Sequence, residues 1–186
     1  DLLRTYMSVG GMPASVREYI KSSSPRQCEM ELNSILVTYR DDFSKYLGKA
    51  DPETLRLVLD KAPGLIGRKV KYTEISREIP SGRLKACLRQ LEQARVLHRV
   101  HHSSGNPVPL RAEKKERVFK LLFLDSGLMM RSLGLNILSI HEKNILLANS
   151  GALAEQFIGQ QWFNNNNSYE EPELFYWNRE KSTASA

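Results

Sequence analysis

The sequence predicts a mainly helical protein that carries one helix-helix-helix-hairpin module and runs into the start of an α/β unit. Three observations lead there. Apolar residues recur at the i, i+3, i+4, i+7 spacing of amphipathic helices through the first half of the chain. Two segments of strand character, 96–100 and 118–124, then flank a turn-forming Ser-Ser-Gly-Asn-Pro cluster at 103–107. Finally, residues 61–120 contain 15 Lys and Arg against 5 Asp and Glu, a net +10, whereas the remainder holds 12 against 16, a net −4. A chain of 186 residues that is 41% hydrophobic is long enough for one good core or two small ones.

The elements follow in order. At Tyr6 to Pro13, paired glycines and a proline break any incoming helix and read as a turn. A long helix is expected over 25–47, with Leu32, Ile35, Leu36, Tyr39, Phe43, Tyr46 and Leu47 on one face and Gly48 at its end. Asp51-Pro52-Glu53 supplies a cap, a proline for the first helical position and an early carboxylate, opening a helix that buries Leu55, Val58, Leu59 and Ala62. Thr73 can cap a short helix, and after Pro80 a second helix starts at Ser81 with the stripe Leu84, Cys87, Leu88, Leu91 and Ala94. With the following hairpin this is the winged-helix order. Beyond it come a short helix over 127–133 and an amphipathic helix over 151–163 with Leu153, Phe157, Ile158 and Trp162 on one side. A strand over 173–177 is expected at a sheet edge, since no further strand follows it in the sequence.

Projection of the 81–95 helix at about 100° per residue sends Lys85, Ala86, Arg89 and Gln93 opposite the apolar stripe. In a helix-turn-helix arrangement that face enters the major groove, where Arg and Lys reach guanine and Gln reaches adenine. Lys69, Lys71, Arg77, Arg83, Arg99, Lys114 and Lys115, with Arg68 and Arg117, are candidates for phosphate contacts around it. The competing reading is a scaffold module whose cations are merely solvated.

Other chemistry is thinly represented. No Gly-x-x-x-x-Gly-Lys-[Ser/Thr] phosphate loop occurs, nor a Gly-x-Ser-x-Gly elbow, His-Glu-x-x-His or Cys-x-x-Cys pattern. His98, His101 and His102 are close in sequence but lack another ligand type nearby, so no metal is expected and they read as wing-lining residues. Glu155 is the one candidate catalytic carboxylate. On a helix ahead of a strand it could join strand carboxylates around magnesium, or it could be a surface residue near a helix start. Cys28 and Cys87 fall on apolar positions, which fits free thiols in a reducing, cytoplasmic setting. No apolar run approaches the roughly 20 residues of a membrane span, so no membrane partner is expected.

Several phrases occur in a telling order: Gly10-Gly-Met-Pro13, Tyr39-Arg-Asp-Asp-Phe-Ser-Lys-Tyr46, Leu84 through Leu97, Phe123-Leu-Asp-Ser-Gly-Leu128, Gly151-Ala-Leu-Ala-Glu155 and Phe175-Tyr-Trp-Asn-Arg179. Together they resemble the C-terminal domain of unknown function that follows an AAA-type ATPase module in bacterial and archaeal ATP-binding proteins. The resemblance implies an upstream ATPase that would bind ATP and magnesium, a winged helix, and a restriction-endonuclease-like fold in which Glu155 matches the helix glutamate. The expected organisation is therefore 1–50 as a helical linker to that ATPase, 51–133 as the winged-helix-like domain, and 134–186 as the truncated opening of a nuclease-like domain. The opening Asp1, without an initiator Met, suggests a fragment. The expected partners are duplex DNA and the ATPase domain of the same protein, with protein-protein regulation of the ATPase as the alternative. No cofactor is expected within the chain itself, and neither ATP hydrolysis nor DNA cleavage is expected of it alone.

Overall fold

The computed structural model describes residues 2–42, 51–105, 110, 114–138, 143–165, 169 and 174–178. The protein is mainly helical with a small mixed four-stranded sheet.

Helix α1 spans Leu2–Val9 and α2 spans Pro13–Ser22, so the expected turn is confined to Gly10, Gly11 and Met12. Gly10 sits at φ +74°, a left-handed conformation that suits a residue without Cβ. Ser15 is the fully buried residue of α2, its hydroxyl donating to the Val9 carbonyl at 2.9 Å, and Val16 and Tyr19 pack beside it against Val9 and Cys28. Helix α3, Pro25–Asp42, buries Cys28, Leu32 and Leu36, and Ile35 and Tyr39 pack beside the core. The continuation through Phe43, Tyr46, Leu47 and Gly48 lies outside the described residues.

Helix α4 spans Pro52–Lys61, and the Asp51 carboxylate accepts from the Thr54 amide at 3.1 Å and the Glu53 amide at 3.4 Å. A 3-10 turn, Ala62–Leu65, leads to strand β1, Val70–Lys71, which the sequence did not reveal because two residues carry no period. Helix α5, Tyr72–Ile75, follows at once, with the Glu74 carboxylate accepting from the Lys71 amide at 2.6 Å. Helix α6 is Ser81–Gln93. Its stripe Leu84, Cys87, Leu88 and Leu91 is buried as expected, but Ala94 is exposed because the helix has already ended there and Arg95 turns the chain at φ +57°. Strands β2, Leu97–His102, and β3, Lys115–Phe123, form the antiparallel hairpin, and β1 pairs with the outer side of β3.

Helices α7, Ser126–Ser132, and α8, Lys143–Asn165, complete the layers, and β4, Phe175–Tyr176, joins the sheet parallel to β2. The strand order is β1-β3-β2-β4. The strand set apart as the opening of a second sheet thus occupies the edge next to β2, where Ser103 donates to the Tyr176 carbonyl at 3.1 Å.

The sheet is covered on both faces. Phe119, Leu121 and Phe123 alternate along β3 into one core shared with Leu55, Val58, Leu59, Leu84, Leu88 and Leu91. Leu122, on the other face, meets α8 where Gly159 leaves room for it: a Cβ there would lie 2.4 Å from Leu122 Cδ1. The buried face of α8 differs from the expected apolar one. Leu153 is buried, but Ile158 and Trp162 are 66% and 56% exposed, while Gln156 and Gln160 are buried. The reason is that α8 lies against the buried backbone of β3 as well as its side chains. Gln156 Oε1 accepts from the Phe123 amide at 2.8 Å and its Nε2 donates to the Phe123 carbonyl at 2.7 Å, completing the end of β3 as a neighbouring strand would. Among the described residues no helix is long and apolar enough to cross a membrane.

Candidate nucleic-acid interface

Helix α6 is anchored by its apolar stripe against α4 and the sheet, so its opposite face is directed away from the core. Arg89 and Gln93 are exposed on that face and Arg83 is exposed on its flank, where its positive charge also acts on Asp51. Lys85 is half-buried because its ammonium pairs with the Glu116 carboxylate of β3. This pair joins the outer flank of α6 to the loop end of the hairpin. The hydrogen bond and the charge of Lys85 hold the Glu116 carboxyl below its ordinary range, with Lys114 and His101 adding to the effect.

The surrounding cations fall into two groups. Lys69, Lys71, Arg77 and Lys114 are exposed, as are Arg68 and Arg117; Lys115 opens β3, and its side chain lies outside the described ones. Arg99 stands apart. Its side chain is only 7% exposed, with Nη2 2.5 Å from Glu92 Oε2, Nε 2.8 Å from Glu92 Oε1 and Nη1 3.1 Å from the Tyr72 hydroxyl. Burial alone would lower its pKa, but the hydrogen bonds and charge of Glu92, with Tyr72 adding, raise it above the ordinary value. Arg99 therefore ties β2 to α6 and α5 and is already fully engaged.

The three histidines do not converge. His98 stacks on Phe163 of α8 at 4.4 Å, His101 meets Phe119 at 6.3 Å, and His102 meets Tyr176 of β4 edge-on at 5.3 Å. All three make packing contacts from β2. Burial lowers the His98 pKa, and Arg95 adds to that while Glu92 opposes it. Among the described residues no three His, Cys, Asp or Glu side chains are grouped so as to hold a metal ion.

Glu155 is not near a helix start, because α8 begins at Lys143. Its Oε2 lies 2.5 Å from Lys120 Nζ of β3, and Lys120 also lies 5.7 Å from the Tyr176 ring centroid. The pair fastens α8 across the sheet. Both cysteines are free and buried, and burial pushes the Cys87 thiol up to about 11.

A second polar constellation was not apparent in the sequence. Asp125 is 2% exposed; its carboxylate accepts from the Gly11 amide at 2.7 Å, the Leu128 amide at 3.0 Å and Gln160 Nε2 at 3.1 Å. A Cβ on Gly10 would lie 2.1 Å from Asp125 Oδ1, and one on Gly127 would lie 2.7 Å from the Val9 carbonyl oxygen. The Gly-Gly-Met-Pro and Leu-Asp-Ser-Gly-Leu phrases therefore meet at one junction, which locks the α1–α2 turn onto the start of α7 and the side of α8. Only their glycines and aspartate could have signalled it.

The architecture defines a mainly helical domain built on a hairpin-centred sheet. A family model described as Domain of unknown function (DUF8612) matches residues 1–138, and the chain belongs to that family. No curated protein and no solved structure matches it.

Proposed function

We propose that residues 51–133 form a winged-helix module that binds duplex DNA through the exposed face of α6. The observation that carries this reading is the order α4-β1-α5-α6-β2-β3 with the strands arranged β1-β3-β2, which leaves Arg89 and Gln93 on the uncovered side of the third helix. Arg83, Lys114 and Arg117 supply exposed positive charge for phosphates on the same module. In keeping with the family resemblance, the module would serve a protein whose ATPase supplies ATP and magnesium chemistry elsewhere. Nuclease chemistry forms no part of the proposal, because Glu155 is engaged by Lys120 and has no acidic companions grouped with it among the described residues.

A second reading, a protein-docking domain that regulates the ATPase without nucleic acid, draws support from Lys85 and Arg99, whose charges Glu116 and Glu92 already neutralise. Fluorescence anisotropy with a short labelled duplex at low salt separates the two. The DNA reading expects weak binding whose log–log salt slope is about −0.9 per phosphate, or about −3 for three to four contacts. Arg83→Glu with Arg89→Glu weakens it and flattens the slope while the far-ultraviolet circular dichroism stays the same. No binding by the folded protein at low salt, or an unaltered affinity in the double variant, replaces the DNA reading with the docking one.

A further inference from the structure

Two ion pairs link α6 to the hairpin among the described residues, Arg99–Glu92 to β2 and Lys85–Glu116 to β3. The Lys85–Glu116 pair is the solvent-facing one: the Lys85 side chain is 33% and the Glu116 side chain 53% exposed. An ion pair this exposed adds little to folding, so its position invites a role other than holding the hairpin to the helix. The hairpin is held independently by the β2–β3 ladder and by Phe119, Leu121 and Phe123 in the core.

We propose that Glu116 acts as an internal stand-in for a DNA phosphate on Lys85, so that this pair lowers the affinity of the α6 face until phosphate displaces the carboxylate. The inference rests on the reading of α6 as a DNA-binding face. A carboxylate and a phosphate offer a lysine the same partner, an anionic oxygen acceptor. Because Glu116 is tethered through β3, it competes at a high effective concentration with any phosphate arriving from solution. Lys114 and Arg117 lie close to Glu116 in sequence and are exposed, so a phosphate that reaches Lys85 meets further positive charge at the loop end of the hairpin. Glu116 remains ionised at neutral pH, as its depressed pKa requires of an effective competitor.

The test is a double-mutant cycle read by duplex anisotropy across a salt series, using the whole chain as wild type, Glu116→Gln, Lys85→Gln and the double variant. Glutamine keeps the shape of Glu116 and removes its charge. Glu116→Gln is expected to bind about two- to fivefold tighter than wild type, with a salt slope steeper by about 0.9, the increment of one added phosphate contact. In the Lys85→Gln background the same substitution is expected to leave affinity nearly unchanged, within about 1.5-fold, because the lysine to be released is gone. Equal binding by wild type and Glu116→Gln overturns the stand-in role and leaves the DNA reading intact. An equal gain in both backgrounds also overturns it, since general charge removal then accounts for the effect. Absence of binding by all four folded proteins removes both readings together.

Discussion

Replacing Asp125 with Ala tests the junction that fixes the N-terminal helices. The carboxylate serves three donors, and two of them, the Leu128 amide and Gln160 Nε2, are buried. Each buried donor left without an acceptor costs about 1–3 kcal/mol, with hydrogen bonds to a charged acceptor toward the upper end. The Gly11 amide is nearer solvent and recovers part of its loss from water. The expected destabilisation is about 3–5 kcal/mol, a large part of the roughly 5–15 kcal/mol that stabilises a typical domain. Gly10→Ala is expected to cost about 2–4 kcal/mol, combining a left-handed backbone penalty with overpacking, because its Cβ would lie 2.1 Å from Asp125 Oδ1. With Asp125 already Ala, the oxygen it strikes is absent and about 1–2 kcal/mol remains. The two substitutions should therefore be less than additive by about 1–2 kcal/mol. Urea unfolding of the four proteins, with the m-value checked for constancy, measures this directly. A loss below about 1 kcal/mol for Asp125→Ala, or additivity within about 0.5 kcal/mol, would refute the assignment of Asp125 as a buried acceptor shared by the three segments.

Two other outcomes follow from the same geometry. Arg99→Ala leaves Glu92 and the Tyr72 hydroxyl without their partner and should lower stability by about 2–4 kcal/mol, whereas Arg89→Ala should stay within about 0.5 kcal/mol of wild type; equal effects in urea unfolding would show that Arg99 is not a structural tie. His98, ordinarily near 6.5, is depressed by burial. The unfolded chain thus takes up its proton first, and stability that is complete above pH 6.5 declines as pH falls through the folded-state pKa. The unfolding midpoint should drop between pH 7 and pH 5, less so in His98→Gln, and a ring that titrates by NMR at or above its ordinary value would contradict this.

Much of the frame was legible in the residues because local rules decide it. The Asp51-Pro52 start, the α6 stripe and the two long hairpin strands each follow from a cap or a period that needs no distant partner. What escaped depends on who the neighbour is. Strand β1 exists because Val70 and Lys71 pair with Phe119 and Val118, and α8 turns glutamines inward because the end of β3 needs donors and acceptors. The outward direction of Arg89 and Gln93 came from helix projection, but the fates of Lys85 and Arg99 did not. Their acidic partners are 31 and 7 positions away and become neighbours only once the hairpin folds back on α6.

The Gly11–Asp125 bond also carries a kinetic consequence. Its partners are 114 positions apart, against 31 for Lys85 and Glu116. On the logarithmic scaling of loop closure, the longer loop costs about 1 kcal/mol more to close when no other contact has formed. During synthesis α1 and α2 precede the other partners of this junction, and they gain the Asp125 contact only after Asp125 has emerged, with Gln160, which shares that contact, later still. The hairpin and its three helices can form from contacts within a much shorter stretch of chain. The junction of α1 and α2 with α7 and α8 therefore closes after the hairpin module has made its own contacts, although these two helices are synthesised before that module.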